Sequence, residues 1–518
     1  MPLVMRALGW IWITVKVPPL SKMRIQLSIL WPHELFAYMY HGYKLEFIKR
    51  LCGGAVSNIS NFWASQKKHP AYGPHPMHTH GRFDFRRFGI PLGLHGDGIT
   101  VVGVGKKLQK HMDCVSWSSL LARASSAKHT MFVILFIFEL MLLKSHGVDT
   151  NDAVWGAIIW SLYWMYQGIW PDRDWTGRMY TAEDGWRYNI RLTPLAEGYF
   201  GVTWAVRADL DYVRKKFGLG GAGTSCHLCA SNTSDIPWTS VSLTAFWIAV
   251  IWENASFAEQ HPGRHRLMRH VPGVGISVFI PDILHVKHLG TDAYYLGGLL
   301  LLLVGYVMPG TQEDNLATLW IAIEVVYKRK RTRNRFGAIT LGMIKSAKKP
   351  LPCLSGRGLQ IKDLVPVMID VSKGFLDMGK AEHRDILCGL EASREMDKIL
   401  DSHIEYPCLP EAVATKFCKM AFDFGACVTS LIRFYHPAVP VFHHTDKLHL
   451  LLHLGLISKY INPGLGSCYQ GEEMMGVVRR IVSSCARGSK PATALKTSMA
   501  RYCRGLSFDF SRSQEWWH

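Results

Sequence analysis

The sequence has no apolar run of obvious membrane length. Its three longest candidates, residues 131–143, 241–252 and 294–308, hold thirteen, twelve and fifteen residues, against the ~20 that a spanning helix needs. They read as buried strands or core helices, and a membrane protein using these runs is a second alternative to the main reading. A dense cysteine framework is also missing. The twelve cysteines are scattered, and only Cys226 and Cys229 form a CxxC pair, which excludes a small disulfide scaffold and points to a reducing compartment. In residues 1–31, Arg6, Lys16, Pro18, Pro19, Lys22 and Arg24 interrupt the apolar stretch. No cleavable secretory signal is expected there. The Gly run at 218–223 lacks the Gly-Lys-Ser/Thr ending of a phosphate loop. Acidic residues are scarce, 40 against 59 Lys plus Arg, for a net charge of +19. That imbalance favours a polyanionic partner, nucleic acid first and an anionic membrane surface second.

With 518 residues, 48% of them apolar, the chain is long enough for two to four domains and too apolar to be disordered. The sharpest feature is Ile90-Pro-Leu-Gly-Leu-His-Gly-Asp97-Gly98. An apolar run that breaks at a Gly-flanked Asp predicts a strand ending in a carboxylate on a turn. Residues 99–104 read as a second strand, 113–125 as a polar loop or short helix, and 131–138 as a strand. A helix over 153–166 has Asn151 and Asp152 as caps. A strand over 199–207 runs into Asp209 and Asp211. Residues 1–89 show little organisation, and His75, His78 and His80 within them read as a His-Pro loop. Residues 311–440 read as a helical insertion. The expected division is 1–89, a core at 90–310, the insertion at 311–440, and 441–518 completing the core in a mixed α/β fold.

Three further signals carry chemistry. Cys226 and Cys229 with the downstream His285 and His288 offer N and S ligands for one Zn²⁺. Lys328, Arg329, Lys330, Arg331, Arg333 and Arg335 form a basic run suited to phosphate contacts or nuclear import. Near the end, Glu472 and Glu473 open a helix whose apolar stripe includes Met475, Val478 and Ile481. Two strand-end aspartates and a helical glutamate are the oxygen donors that two Mg²⁺ ions need for phosphoryl transfer. On that ground Asp97, Asp209 and Glu472 are the candidate catalytic set, with Asp211 and Glu473 in reserve.

This order of motifs resembles the DDE/D transposases of RNase H-like fold, the CACTA-type group most closely. The resemblance covers about residues 90–310 and 440–505. It rests on His95-Gly-Asp97-Gly, on Trp204-Ala-Val-Arg-Ala-Asp209, on Cys226–Cys229, on His285 with Asp292 and Gly298-Leu-Leu, and on Glu472 beyond a helical insertion. The chain is also similar to multi-copy proteins of dinoflagellates that share the His-Gly-Asp-Gly and Tyr-Ile-Asn-Pro types of segment. The resemblance implies a nuclear, magnesium-dependent enzyme of DNA cleavage and strand transfer, or an inactive or domesticated copy. DNA is the implied partner, self-association is left open, and no membrane is implied. The alternative is a non-catalytic nucleic-acid-binding protein on the same fold.

Overall fold

The computed structural model describes residues 8–15, 23–81, 83–102, 109–122, 126–142, 144–145, 148–220, 226–345, 351–486 and 488–515. Residues 103–104 of the expected second strand and residues 221–223 of the Gly run fall outside them. The chain forms two compact units. The first comprises 1–218, 253–279 and 468–518, and the second 219–252 and 280–467. These boundaries differ from those drawn on the sequence: the segment around the CxxC pair groups with the helical insertion and with residues 441–467.

In chain order, strands β1 (Leu8–Val15) and β2 (Met23–Leu30) pair as a hairpin. Helices α1 (Pro32–Gly42), α2 (Lys44–Leu51), α3 (Ser57–Ser65) and α4 (Phe85–Phe88) follow. Then come β3 (Gly89–Val102), β4 (Gln109–Ser119), β5 (Met131–Phe138), the short pair β6 (Lys144–Ser145) and β7 (Val148–Asp149), α5 (Thr150–Gln167), α6 (Trp186–Ile190), β8 (Phe200–Arg207) and α7 (Leu210–Phe217). Beyond them lie α8 (Phe246–Ala249), α9 (Asn254–Gln260), α10 (Arg266–His270), α11 (Ala293–Leu302), α12 (Gln312–Lys330), α13 (Leu341–Ile344), α14 (Gly358–Ser372), α15 (Ala381–Ser402), α16 (Glu411–Tyr435), α17 (Asp446–Ile457), α18 (Tyr469–Ala486) and α19 (Pro491–Glu515).

The first unit is built on a mixed four-stranded sheet, ordered β5-β4-β3-β8. β3, β4 and β5 form an antiparallel meander, and β8 returns parallel to β3 after α5. β5 (Met-Phe-Val-Ile-Leu-Phe-Ile-Phe) and β8 are buried along their whole length, as strands covered on both faces must be. α5 is capped by Asp149, which accepts from the Asn151 and Asp152 amides, so Asn151 and Asp152 lie inside the first turn instead of capping it. It ends at Gly168 in the left-handed region, where a side chain would be strained.

One expectation is overturned at the centre of the sheet. Residues 89–102 are a single strand, and Asp97 sits inside it, opposite Cys114. Residues 109–119 are its partner, so 113–119 of the stretch expected to be a polar loop or short helix are strand. Gly96 is explained by packing, since a Cβ there would lie 2.4 Å from the Tyr212 ring. The glycine lets α7 approach the strand and does not make a turn.

The second unit is mainly helical, with α12 to α16 covering most of residues 311–440. Leu284–Val307 forms a 24-residue helical stretch, long and apolar enough to cross a membrane by length and composition alone, and 78% of its apolar window is buried in the protein. The run read at 294–308 is therefore the second half of a longer helix. It kinks at Gly290, whose backbone is not helical. Of the run at 241–252, only Phe246–Ala249 is helical.

Candidate active site and metal centre

Two of the candidate acids, Asp97 and Asp209, lie at the end of the β3–β8 pair. The last matched residues of that parallel pair are His95 and Arg207. Asp97 and Asp209 each lie two residues further along adjacent chains. Side chains alternate along a strand, so His95 and Asp97 share one face of β3, while Gly96 and Gly98 present the other. On the His95 face, α18 makes its closest approach. A Cβ on Gly471 would fall 2.1 Å from His95 Nε2, so the first turn of α18 rests on that imidazole, with Glu472 as the next residue. Buried Ser116 lies 3.5 Å from His95 Nδ1, and buried Arg207 donates to Ser118. This face of the sheet is polar, although it is covered.

The opposite face belongs to α7. Asp209 caps that helix, its Oδ1 accepting the Tyr212 amide at 2.5 Å. Lys216 reaches back to pair with buried Asp113 of β4. Burial raises the Asp113 carboxyl, with Lys216 only partly offsetting the shift. Buried Tyr212 is pushed well above the usual phenol range by burial first, then by the negative charge of Asp113, Cys114, Asp97 and Asp209. Asp97 and Asp209 therefore both bear electrostatically on one phenol.

The reserves stand elsewhere. Asp211 is not on a strand with Asp209, because β8 ends at Arg207. It lies in α7, largely exposed, 3.4 Å from Lys215. Glu473 accepts from Ser126 Oγ at 2.6 Å and from the Ala127 amide at 3.0 Å, which fixes the loop ahead of β5. Glu472 is exposed beside the packed stripe of Gly471, Met475 and Val478.

In the second unit, Cys226 and Cys229 are joined by His449 and His453, and the four ligand atoms lie within 4.8 Å of one another. His285 and His288 do not join them. His285 Nδ1 is 2.5 Å from Asp282, and His288 Nε2 is 2.9 Å from Asp397. The expected ligand set is thus corrected at two positions, because neighbouring carboxylates already hold those two rings. His449 and His453 are four apart on α17 and so project from one face. Cys229 Sγ is 3.3 Å from each Nε2, and the two Nε2 atoms are 3.1 Å apart. Tetrahedral zinc bonds of ~2.0 Å to N and ~2.3 Å to S imply an N–N edge of roughly 3.3 Å and N–S edges of roughly 3.5 Å, so these three distances lie about 0.2 Å inside those of such an ion.

The surroundings suit a thiolate at Cys229. The Leu228 amide donates to Cys226 Sγ at 3.3 Å. The Cys229 thiol is held far below its usual range by hydrogen bonding to Cys226, and then by His449 and His453 against the opposing effect of burial. Burial pushes Cys226 up, and it pushes the His453 imidazole down, keeping that ring neutral as a ligand must be. Trp247 covers both imidazoles at 4.6 and 4.7 Å. The sequence signal that finds this centre is C-x₂-C with H-x₃-H, which spans 228 positions from Cys226 to His453.

A second group, His288, Asp292 and Asp397, also gathers its ligand atoms within 4.8 Å. Fully buried Lys287 stands among its oxygens, with Nζ 2.8 Å from Asp292, 2.8 Å from Asp397 and 2.9 Å from Ser393 Oγ. The ammonium is the cation of this cluster.

In the basic run, Arg329 and Lys330 pair with Asp370 at 2.6 and 3.1 Å. Arg335 donates to the Thr332 carbonyl at 2.6 Å. Lys328, Arg331 and Arg333 are exposed. No family model matches the chain, and no curated protein matches it in sequence.

Proposed function

We propose that the protein is a transposase-like enzyme of RNase H-like fold that cleaves and rejoins DNA, with Asp97, Asp209 and Glu472 as its metal-binding carboxylates. The observation that carries this reading is the register of β3 and β8. It sets Asp97 and Asp209 equally far beyond the His95–Arg207 pair on adjacent chains, with the Glu472 turn of α18 packed on the same strand. A meander followed by a parallel fourth strand next to the first is also the strand order of RNase H-like sheets. Carboxylate oxygens suit Mg²⁺. When bound there, two such ions would supply Lewis acidity to the attacking and leaving oxygens of a phosphodiester. In this reading the chain's own part is to hold three carboxylates on a rigid sheet and helix. Arg207 gives that face a buried positive charge, and Lys328, Arg331 and Arg333 offer exposed phosphate contacts.

The Cys226, Cys229, His449 and His453 centre would hold one structural Zn²⁺, tying the segment around the CxxC pair to α17. A nuclear, reducing setting accords with twelve cysteines that are all free. Incubating the full chain with labelled DNA and Mg²⁺ tests the proposal. Metal-dependent cleavage that Asp97→Asn abolishes while DNA binding persists supports it. Cleavage unchanged by that substitution removes it.

A second reading is a non-catalytic nucleic-acid-binding protein on the same fold. Its specific support is that Asp209 Oδ1 is already committed to capping α7. It predicts DNA binding without metal-dependent cleavage.

A further inference from the structure

Glycine inside a helix is destabilising relative to alanine, so each one calls for a reason. In other long helices of this protein the reason is a neighbour. A Cβ on Gly297 of α11 would fall 2.7 Å from the Cys353 backbone, one on Gly389 of α15 would strike the Tyr295 hydroxyl, and one on Gly455 of α17 would lie 3.1 Å from Ala421. Gly476 of α18 and Gly505 of α19 differ. Both are exposed, and a Cβ on either would meet nothing within 4 Å among the described residues. Each leaves a gap in a helix surface that packing within the chain does not explain.

Both gaps are set among arginines. On α18, Glu472, Gly476 and Arg479 follow at i, i+4 and i+7 and so share one face, with exposed Arg480 beside them. On α19 the same spacing joins Arg501, Gly505 and Phe508, and Arg512 extends the row. Arg512 lies over the Phe508 ring at 5.6 Å. Arg501 donates to Ser484 Oγ at 2.8 Å, which ties the row on α19 to α18. Residues 479–512 hold eight Lys and Arg and a single acid, Asp509. That carboxylate is already engaged, 2.8 Å from Arg50 and 3.1 Å from His129. The outer face of the two helices is therefore cationic, and among the described residues Phe508 is its one large apolar side chain left exposed.

A cationic face of this length fits a polyanion. Arg501 to Arg512 spans ~16 Å of helix, along which one strand of a DNA duplex carries about five charges. Guanidinium groups bind phosphate well, and a missing side chain lets another backbone come close. A bilayer surface would call for an apolar face to bury, which one Phe does not make. We propose that the outer face of α18 and α19 is a docking surface for duplex DNA, whose sugar–phosphate backbone lies in the gaps at Gly476 and Gly505 between Arg479, Arg501, Arg504 and Arg512. This gives the substrate of the reading above a path along the helix that carries Glu472. The choice of DNA as the polyanion rests on that reading; the cationic face and its two gaps do not.

Binding of the full chain to a short fluorescein-labelled duplex, read in EDTA at several salt concentrations, tests this face. Gly476→Leu and Gly505→Leu should melt no lower than the wild type, because leucine is the better helix former and the space is open. Both should nevertheless bind the duplex at least ~5-fold more weakly, as the filled gap lifts phosphates away from charge-assisted contacts. Arg504→Gln combined with Arg512→Gln should lower the slope of log affinity against log salt by roughly 0.9 for each phosphate released. Unchanged affinity in the glycine variants overturns the proposal. So does a fall in their melting temperature, which would give the two glycines a structural reason. Polyglutamate that displaces the duplex as well as unlabelled duplex does, or phosphatidylserine vesicles that capture the chain in preference to it, would assign another anionic partner and overturn it too. Binding is read without Mg²⁺ and cleavage with it, so failure of this docking face and failure of the catalytic reading are separate results.

Discussion

Cys226, Cys229, His449 and His453 form one cluster of the second unit, and His288, Asp292 and Asp397 form another; each brings its ligand atoms within 4.8 Å. The difference lies in what fills the middle. In the second cluster, Lys287 Nζ touches both carboxylates, so the charges close without a metal. In the first, two thiol groups and two imidazoles face one another, among the described residues no Lys or Arg side chain pairs with any of them, and a hydrogen-bond donor is aimed at one sulfur. Distance alone does not separate a metal site from an ion-pair network. The sign of the enclosed charge does.

The largest effect should come from the thiol–imidazole cluster. Structural zinc in small domains contributes ~10–16 kcal/mol of apparent binding energy. Cys229→Ser or His453→Ala should therefore remove about one equivalent of zinc and melt the second unit well below the wild type. His288→Ala should leave zinc content untouched. Elemental analysis with thermal melts of the three variants checks this, and zinc missing from His288→Ala would invert the comparison.

Breaking the other cluster should cost less. Lys287→Met leaves Asp292 and Asp397 buried without their cation, a loss of about 3–5 kcal/mol. Added divalent cations should not restore it. The pH dependence has two signs. Burial alone would raise the Asp397 carboxyl, but Lys287 and His288 outweigh it and hold it well below the usual range. Burial likewise works against the Lys287 ammonium, and Asp292 and Asp397 overcome it, so that its pKa is raised. The carboxylate contribution is present above the ordinary Asp range and is lost as pH falls through the depressed value. The Lys287 contribution is full below the ordinary Lys range and is lost as pH rises through the elevated one. Denaturant melts of wild type and Lys287→Met should differ most between these limits and converge toward strong acid.

Much of the sheet was legible because β5 and β8 are short apolar runs that burial alone requires to be strands. The Gly-Asp-Gly segment misled because glycine beside aspartate usually marks a turn, and nothing local reveals that Tyr212 needs the space at Gly96. β4 was missed because its polar residues, such as Ser116 and Ser118, face a covered but polar surface. His285 and His288 were favoured as zinc ligands by nearness in sequence. The true partners of the CxxC pair lie more than two hundred residues away, and only the H-x₃-H spacing on α17 announces them.

Smaller effects sharpen the first unit. Asn caps a helix about as well as Asp. Asp209→Asn should therefore keep α7, whereas Asp209→Ala should lose ~1 kcal/mol through the missing cap. Thermal melts of the two variants separate a capping role from any further one. Smallest is the basic run: replacing Lys328, Arg331 and Arg333 with Gln should lower the salt dependence of DNA affinity by roughly 0.9 in logarithmic slope for each phosphate no longer neutralised. Binding isotherms at several salt concentrations measure it.

If the carboxylates of Asp97 and Asp209 act on DNA, Asp209→Asn separates that role from helix capping, because it spares the cap. Nicking of supercoiled plasmid in Mg²⁺ should be present in the wild type and absent in an Asp209→Asn protein that melts at the same temperature. Equal nicking by the two proteins, or none by either, would contradict it.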